Sequence, residues 1–162
     1  MFFMTTAKSK TASNVIIEAL RLPLAQAAEP RFNEVLMAIV ENLGGTEDVA
    51  TLPISFWLIR HAGTIAGYVA VGYAEGQKGA QAGDDVALGW FVFPDLRGQG
   101  IARAAVEKIL NTLKAIPVNS VRVDIETDNE ASLRLAMGFG FTVTAEGTSA
   151  DGKGWKSLIW LA

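Results

Sequence analysis

The segment WFVFPDLRGQGIAR, Trp90 to Arg103, carries the densest structural information in the chain. Its first half completes the apolar run Val86–Phe93, which predicts a strand buried on both faces, and Pro94 ends it. Its second half opens a predicted helix over Arg97–Ala115, with Val106, Ile109, Leu110 and Leu113 on one face and Pro117 behind it. The first turn of a helix has unpaired N–H groups and the positive end of the macrodipole. An anion seated there collects several donors at once. Gly98 and Gly100 let the backbone approach it without a Cβ in the way, Ala102 is small, and Arg97 and Arg103 add charge. The chemistry points to a phosphate or pyrophosphate; a helix start with purely local geometry would carry the same letters. Two named phosphate motifs are excluded. GxxxxGK[ST] is absent, and GQGIAR does not match GxGxxG with an acid about 20 residues later.

Working outward, Val15–Leu22, Ser55–Arg60, Thr64–Tyr73, Ser120–Thr127, Phe141–Ala145 and Trp155–Leu161 read as further strands. The second and third are joined across His61-Ala62-Gly63 as a hairpin. Phe32, Val35, Leu36, Ile39, Val40 and Leu43 form a helical stripe stopped by Gly44–Gly45, and Asn129–Met137 is a short helix. Glu75–Asp85 is a glycine-rich, polar, mobile loop. Strands and helices interleave with hairpins at both ends, so the fold is α/β (α+β) with a mixed sheet.

The 162 residues suit one domain over 14–162, with 1–13 as a flexible N-terminal extension. Half the residues are hydrophobic and 19% are charged, which excludes a disordered chain. No apolar run reaches about 18 residues, so no membrane span is expected, and no secretory signal is recognisable, which gives a cytoplasmic default. A formal charge of −3 excludes the basic footprint of a general nucleic-acid binder. Zero cysteines exclude disulfides, thiolate metal sites and a cysteine nucleophile. One histidine, His61, excludes a multi-histidine metal site, and no metal is expected.

Arg97-x-x-Gly100-x-Ala102 after a strand resembles the acyl-CoA signature [Q/R]-x-x-G-x-[G/A] of the GNAT family of N-acetyltransferases. Asn129 followed by a short amphipathic helix and the pair Gly140-Phe141 is similar to that family's second segment. Ser132 in that helix is closer to its RimJ/RimL-like branch. The resemblance implies a mostly antiparallel central sheet of about 6–7 strands with helices on both faces. It implies acetyl-CoA as acyl donor, a small-molecule amine or a protein N-terminus as acceptor, and allows a homodimer. It implies that strands 86–93 and 120–127 splay at a bulge to admit the cofactor. Phe91 and Val92 would pair with the pantetheine arm by main-chain groups. Gly98, Gln99, Gly100, Ile101, Ala102 and Arg103, with Arg97, would wrap the pyrophosphate, and Asn129 would bond the pantetheine side.

Acetyl transfer needs an oxyanion donor, a neutral amine and a protonated leaving thiolate. The strand at Phe91–Val92 is placed to supply the oxyanion N–H. The family's usual thiolate donor is a tyrosine seven residues after the asparagine, and Ala136 stands there. Ser132 is the substitute, or else merely serves the first helical turn. Glu126 is the first choice of base, on a strand facing the splay, with Asp124 next; Asp84 and Asp85 precede the buried strand. His61 reads as an exposed turn residue. Trp57, Trp90, Trp155 and Trp160 read as core, with Trp155 the one that would otherwise line an acceptor pocket. Two further readings stay open: a degenerate acyl-CoA-binding module, and a different phosphate-binding α/β protein.

Overall fold

Among the described residues, segments rich in β-branched and aromatic residues form seven strands. They are β1 (Val15–Ala19), β2 (Ile54–His61), β3 (Thr64–Gly72), β4 (Asp85–Val92), β5 (Ser120–Glu126), β6 (Thr142–Thr148) and β7 (Gly154–Leu161). Three helices interleave among the described residues: α1 (Phe32–Asn42), α2 (Ile101–Ala115) and α3 (Glu130–Gly138). The structure, a computed structural model, describes residues 14–20, 29–43 and 51–161. The expected extension 1–13, the last residues of the first expected strand and the Gly44–Gly45 stop lie outside the described residues.

The strands form one sheet in the order β1-β2-β3-β4-β5-β7-β6. β4 and β5 are parallel, and every other pairing is antiparallel. Parallel neighbours need a long crossover, and α2 supplies it. The β2–β3 turn is Ala62-Gly63, both at positive φ (51° and 83°), the backbone that suits a two-residue hairpin. His61 is therefore the last residue of β2, half-buried and paired with Thr64, rather than an exposed turn residue.

Each face of the sheet has its own core. α1 sets Phe32, Val35 and Ile39 against Phe56, Leu58, Ile65 and Tyr68. On the other face α2 sets Ile101, Ala105, Ile109 and Leu113 against Val69, Val86, Val121 and Val123, and Ala136 of α3 joins them. The helical stripes read from the sequence are these two contact faces.

Three expectations are corrected. β4 is not buried on both faces: Val86, Leu88 and Val92 are buried, while Asp85 and Ala87 are exposed and Gly89 and Phe91 half-buried. Its second apolar face is the floor of a cleft. α2 begins at Ile101, because Gly98 and Gly100 adopt positive φ and interrupt any earlier helix. The glycine-rich loop is pinned: Gly83 N–H donates to Pro117 O (3.0 Å) and Asn119 N–H to Asp84 O (2.7 Å).

Candidate active site

β4 and β5 pair only at Asp85–Ser120, Val86–Val121 and Ala87–Arg122. Beyond that point Leu88–Val92 stays with β3 and Val123–Glu126 stays with β7, so a gap opens in the sheet. Asp85 fastens the closed end, accepting from Ser120 Oγ (2.5 Å) and Asn119 Nδ2 (2.7 Å). Those two donors hold its carboxyl below the usual carboxylate range. The bulge lies one strand away from where the resemblance put it. The β3–β4 and β5–β7 registers run without a shift, while Ala66 of β3 is the extra residue between Ile59–Gly67 and Arg60–Ile65. A bulge raises local twist and re-aims the strand. At the adjacent Gly67, a Cβ would stand 1.8 Å from Phe91 O, a contact only glycine avoids.

Phe93 N–H donates to Ala66 O (2.9 Å). Peptide directions alternate along a strand. The main-chain groups of Trp90 and Val92 therefore face the gap, and those of Phe91 face Tyr68 on β3. The Val92 carbonyl accepts from Arg97 Nε (2.9 Å), and the Arg97 guanidinium lies 5.6 Å from the Phe91 ring centroid. Phe91 thus offers its ring, stacked on Tyr68 at 5.8 Å, rather than its main chain.

At the mouth of the gap the N-terminus of α2 has no side-chain cap and no acidic residue in its first turn. Gly98 and Gly100 have φ of 78° and 77°. A Cβ on Gly98 would meet nothing within 4 Å, so its glycine serves the torsion rather than clearance. These features border one cleft of about 1060 Å³. Phe91, Val92, Arg97, Gly98, Gly100, Ile101, Ala102, Arg103, Asn129, Ser132, Glu126 and Asp124 all line it, whereas Gln99 does not.

Asn129 caps α3, its Oδ1 accepting from Ser132 N–H (3.2 Å). The Ser132 hydroxyl accepts from Trp90 Nε1 (3.3 Å) across the gap. Ala136, one turn further on, is fully buried in the core. Glu126 is exposed, with its carboxylate 3.7 Å from Lys153 Nζ. Asp124 accepts from Ser157 Oγ and lies 3.4 Å from Arg122. Asp84, Asp85, His61 and Trp155 line no part of the cleft. Trp155 instead packs on Gly147, where a Cβ would stand 2.7 Å from its ring. Among the described residues no group of three or more His, Asp or Glu side chains is placed to hold a metal ion.

Sequence reasoning missed Gly67, the polar edge of Trp90, and Tyr68, whose phenol accepts from Asn42 Nδ2 (2.7 Å) and is pushed up by burial. An isolated glycine inside TIAGYVAVGY was the available signal for the first, since such a residue marks a bulge or close backbone approach. For the second it was the rule that a half-buried indole N–H finds a partner.

A family model described as an acetyltransferase (GNAT) domain matches residues 23–142. No curated protein matches the chain. Among solved structures, the chain is similar to YncA, a putative acetyltransferase from Salmonella typhimurium solved with its cofactor acetyl-CoA. The identity is 20% and the TM-score 0.54, over 78% of this chain and 69% of that one. The RimL ribosomal L7/L12 alpha-N-protein acetyltransferase, in an apo crystal form, matches with TM-score 0.64 and 12% identity over 94% of this chain and 96% of that one. A ribosomal-protein-alanine N-acetyltransferase from Brucella melitensis matches with TM-score 0.57 and 17% identity, over 80% and 76% respectively. At such identities these likenesses speak for the fold. The family model, spanning most of the chain and enclosing the splayed strands and both glycine-bearing segments, settles the membership: the chain belongs to the GNAT acetyltransferases.

Proposed function

We propose that the chain moves an acetyl group from acetyl-CoA directly to a primary amine, carried by a small molecule or a protein N-terminus. The observation that carries this reading is the β4–β5 gap opening onto the uncapped N-terminus of α2. The donor set fits the cofactor: N–H groups and Arg97 and Arg103 for a diphosphate, and the gap-facing main chain of Trp90 with the Val92 N–H for an amide-bearing arm.

Acetyl-CoA supplies an acyl group on a good leaving thiolate. The remaining tasks fall to this chain. The first turn of α2, at Ile101, Ala102 and Arg103, binds the diphosphate. The Val92 main chain orients the arm and its N–H polarises the thioester carbonyl. The Asn129 cap holds the first turn of α3, and Ser132 donates its hydroxyl proton in a hydrogen bond to the departing sulfur. Glu126, or water held by it, takes the amine proton, and Asp124 on the same face of β5 adds negative charge for a cationic acceptor. Holding amine and thioester together supplies much of the acceleration. The burial of Ala136, where the family tyrosine would stand, favours a second reading, an acyl-CoA-binding module without turnover.

Thiol release from acetyl-CoA, measured against a panel of primary amines and amino-terminal peptides, tests the proposal. Amine-dependent release is expected, and CoA at millimolar concentration should raise the melting temperature. A shift without release on any amine selects the binding module, and no shift in a folded protein overturns both.

A further inference from the structure

The Trp90 indole is used in a way that the reaction outlined above does not require of a core aromatic. It stands on β4, on the lip of the gap, half-buried against the α2 face of the sheet, and its ring nitrogen reaches across to α3. An indole N–H only donates, so in the 3.3 Å contact the Ser132 hydroxyl must accept. A serine hydroxyl has two lone pairs and one proton. With one lone pair held by Trp90, the proton is restricted to the remaining directions about Oγ. Among the described residues the Ser132 hydroxyl donates no hydrogen bond, although a serine in a first helical turn often bonds back to its own helix.

We infer that Trp90 is a positioning residue for Ser132: its N–H engages the hydroxyl oxygen so that the hydroxyl proton is presented to the gap, where the thiolate departs. The inference rests on the proposed role of Ser132. In the transfer, the amine lone pair forms the C–N bond and the C–S bond breaks. The sulfur leaves with the bonding pair, stabilised by the Ser132 proton. The proton lost by the amine returns through solvent to the sulfur, so the products are an amide and the CoA thiol. Donation into Oγ also polarises the hydroxyl, since hydrogen bonds in a chain strengthen one another.

A double-mutant cycle tests this. Trp90→Phe keeps an aromatic ring and deletes the N–H. With Ser132 present it should lower kcat about 3–10-fold, the equivalent of one neutral hydrogen bond, and leave the KM for acetyl-CoA within about twofold. In the Ser132→Ala background the same substitution should lower kcat by less than about twofold, because the group it orients is gone. An equal loss in both backgrounds, or a loss carried by KM, makes Trp90 a structural wall of the gap and overturns the inference. If Ser132→Ala alone keeps the parent rate, the role of Ser132 fails instead, and with it the premise. Should Trp90→Phe lose its cooperative thermal transition, Trp90→His, which keeps a ring N–H, is read by the same comparison. Its kcat should then exceed that of Trp90→Leu, and equal rates would overturn the inference.

Discussion

Gly67 shows how one residue sets the shape of a site it does not line. It has no unusual positive φ, and nothing in its immediate sequence names a ligand. Its importance comes from the bulge at Ala66, which swings the β3 backbone until the Phe91 carbonyl lies where a Cβ would be. A methyl there must move main chain on β4, because both of its nearest neighbours are backbone atoms of Phe91. Gly67→Ala is therefore expected to cost about 1–3 kcal/mol, read as a fall of roughly 2–12 °C in the thermal midpoint, and to raise the KM for acetyl-CoA. Gly89→Ala is the matched comparison: it lies on the same strand as Phe91 with open space around its Cβ. Its thermal midpoint should stay close to the parent's, and an equal fall in both variants would show that the Phe91 contact is not the cause.

The start of α2 is where an element, rather than a side chain, makes the site. A helix that opens on glycine at φ 77°, with no capping side chain and no acid in its first turn, leaves its first N–H groups without a side-chain partner, and in the proposed function the diphosphate meets them. A capping aspartate or serine would be the ordinary choice for stability alone. Gly100→Glu places a carboxylate at that start and forces an L-residue into the left-handed region. The CoA-induced rise in melting temperature should vanish in this variant. Gly98→Ala, strained in torsion but clear of contacts, should keep the rise while lowering the unliganded midpoint. A full-sized rise in Gly100→Glu would place the diphosphate elsewhere.

Two arginines tie segments that are distant in sequence. Arg31, at the N-cap of α1, makes a two-pronged bond to Asp95 (3.0 and 3.0 Å) in the turn leading to α2, and its guanidinium lies 3.7 Å from the Phe93 ring centroid. Arg60 on β2 likewise grips Glu29 (2.7 and 2.8 Å). Hydrogen bonds from Arg31 hold the Asp95 carboxyl below its usual range, and those from Arg60 do the same for Glu29. A carboxyl whose pKa is lower in the folded state binds a proton more readily when unfolded. Its contribution is present above the ordinary value, about 4, and is lost as pH falls through the lowered one. The thermal midpoint should thus hold from neutrality to about pH 5 and fall below about pH 4. Arg31→Gln should lie below the parent at pH 7, with the difference narrowing, though not closing, at pH 3. The stacking on Phe93 does not titrate, which leaves the remainder. A constant difference across that range would show that Asp95 carries none of the acid sensitivity.

The elements, their order and the glycine-marked cradle were legible in the chain because they rest on local physics. Periodicity of 2 or 3.6, turn residues with permitted torsions and the N–H groups of a helix start are all written in a few consecutive letters, as at Arg97–Arg103. Asn129 and Ser132 were singled out by resemblance to a family segment, and the structure sets them on one short helix beside the cleft. Contacts between distant segments were not legible, since no short window contains both partners. β4 read as buried on both faces because an apolar cleft floor and an apolar core carry the same residues. The displacement of the bulge to Ala66, the demand for glycine at residue 67 and the reach of Trp90 to Ser132 depend on how three strands and a helix pack. Tertiary structure alone decided those, because they are set by register and by distances between backbones that meet only when the sheet is assembled.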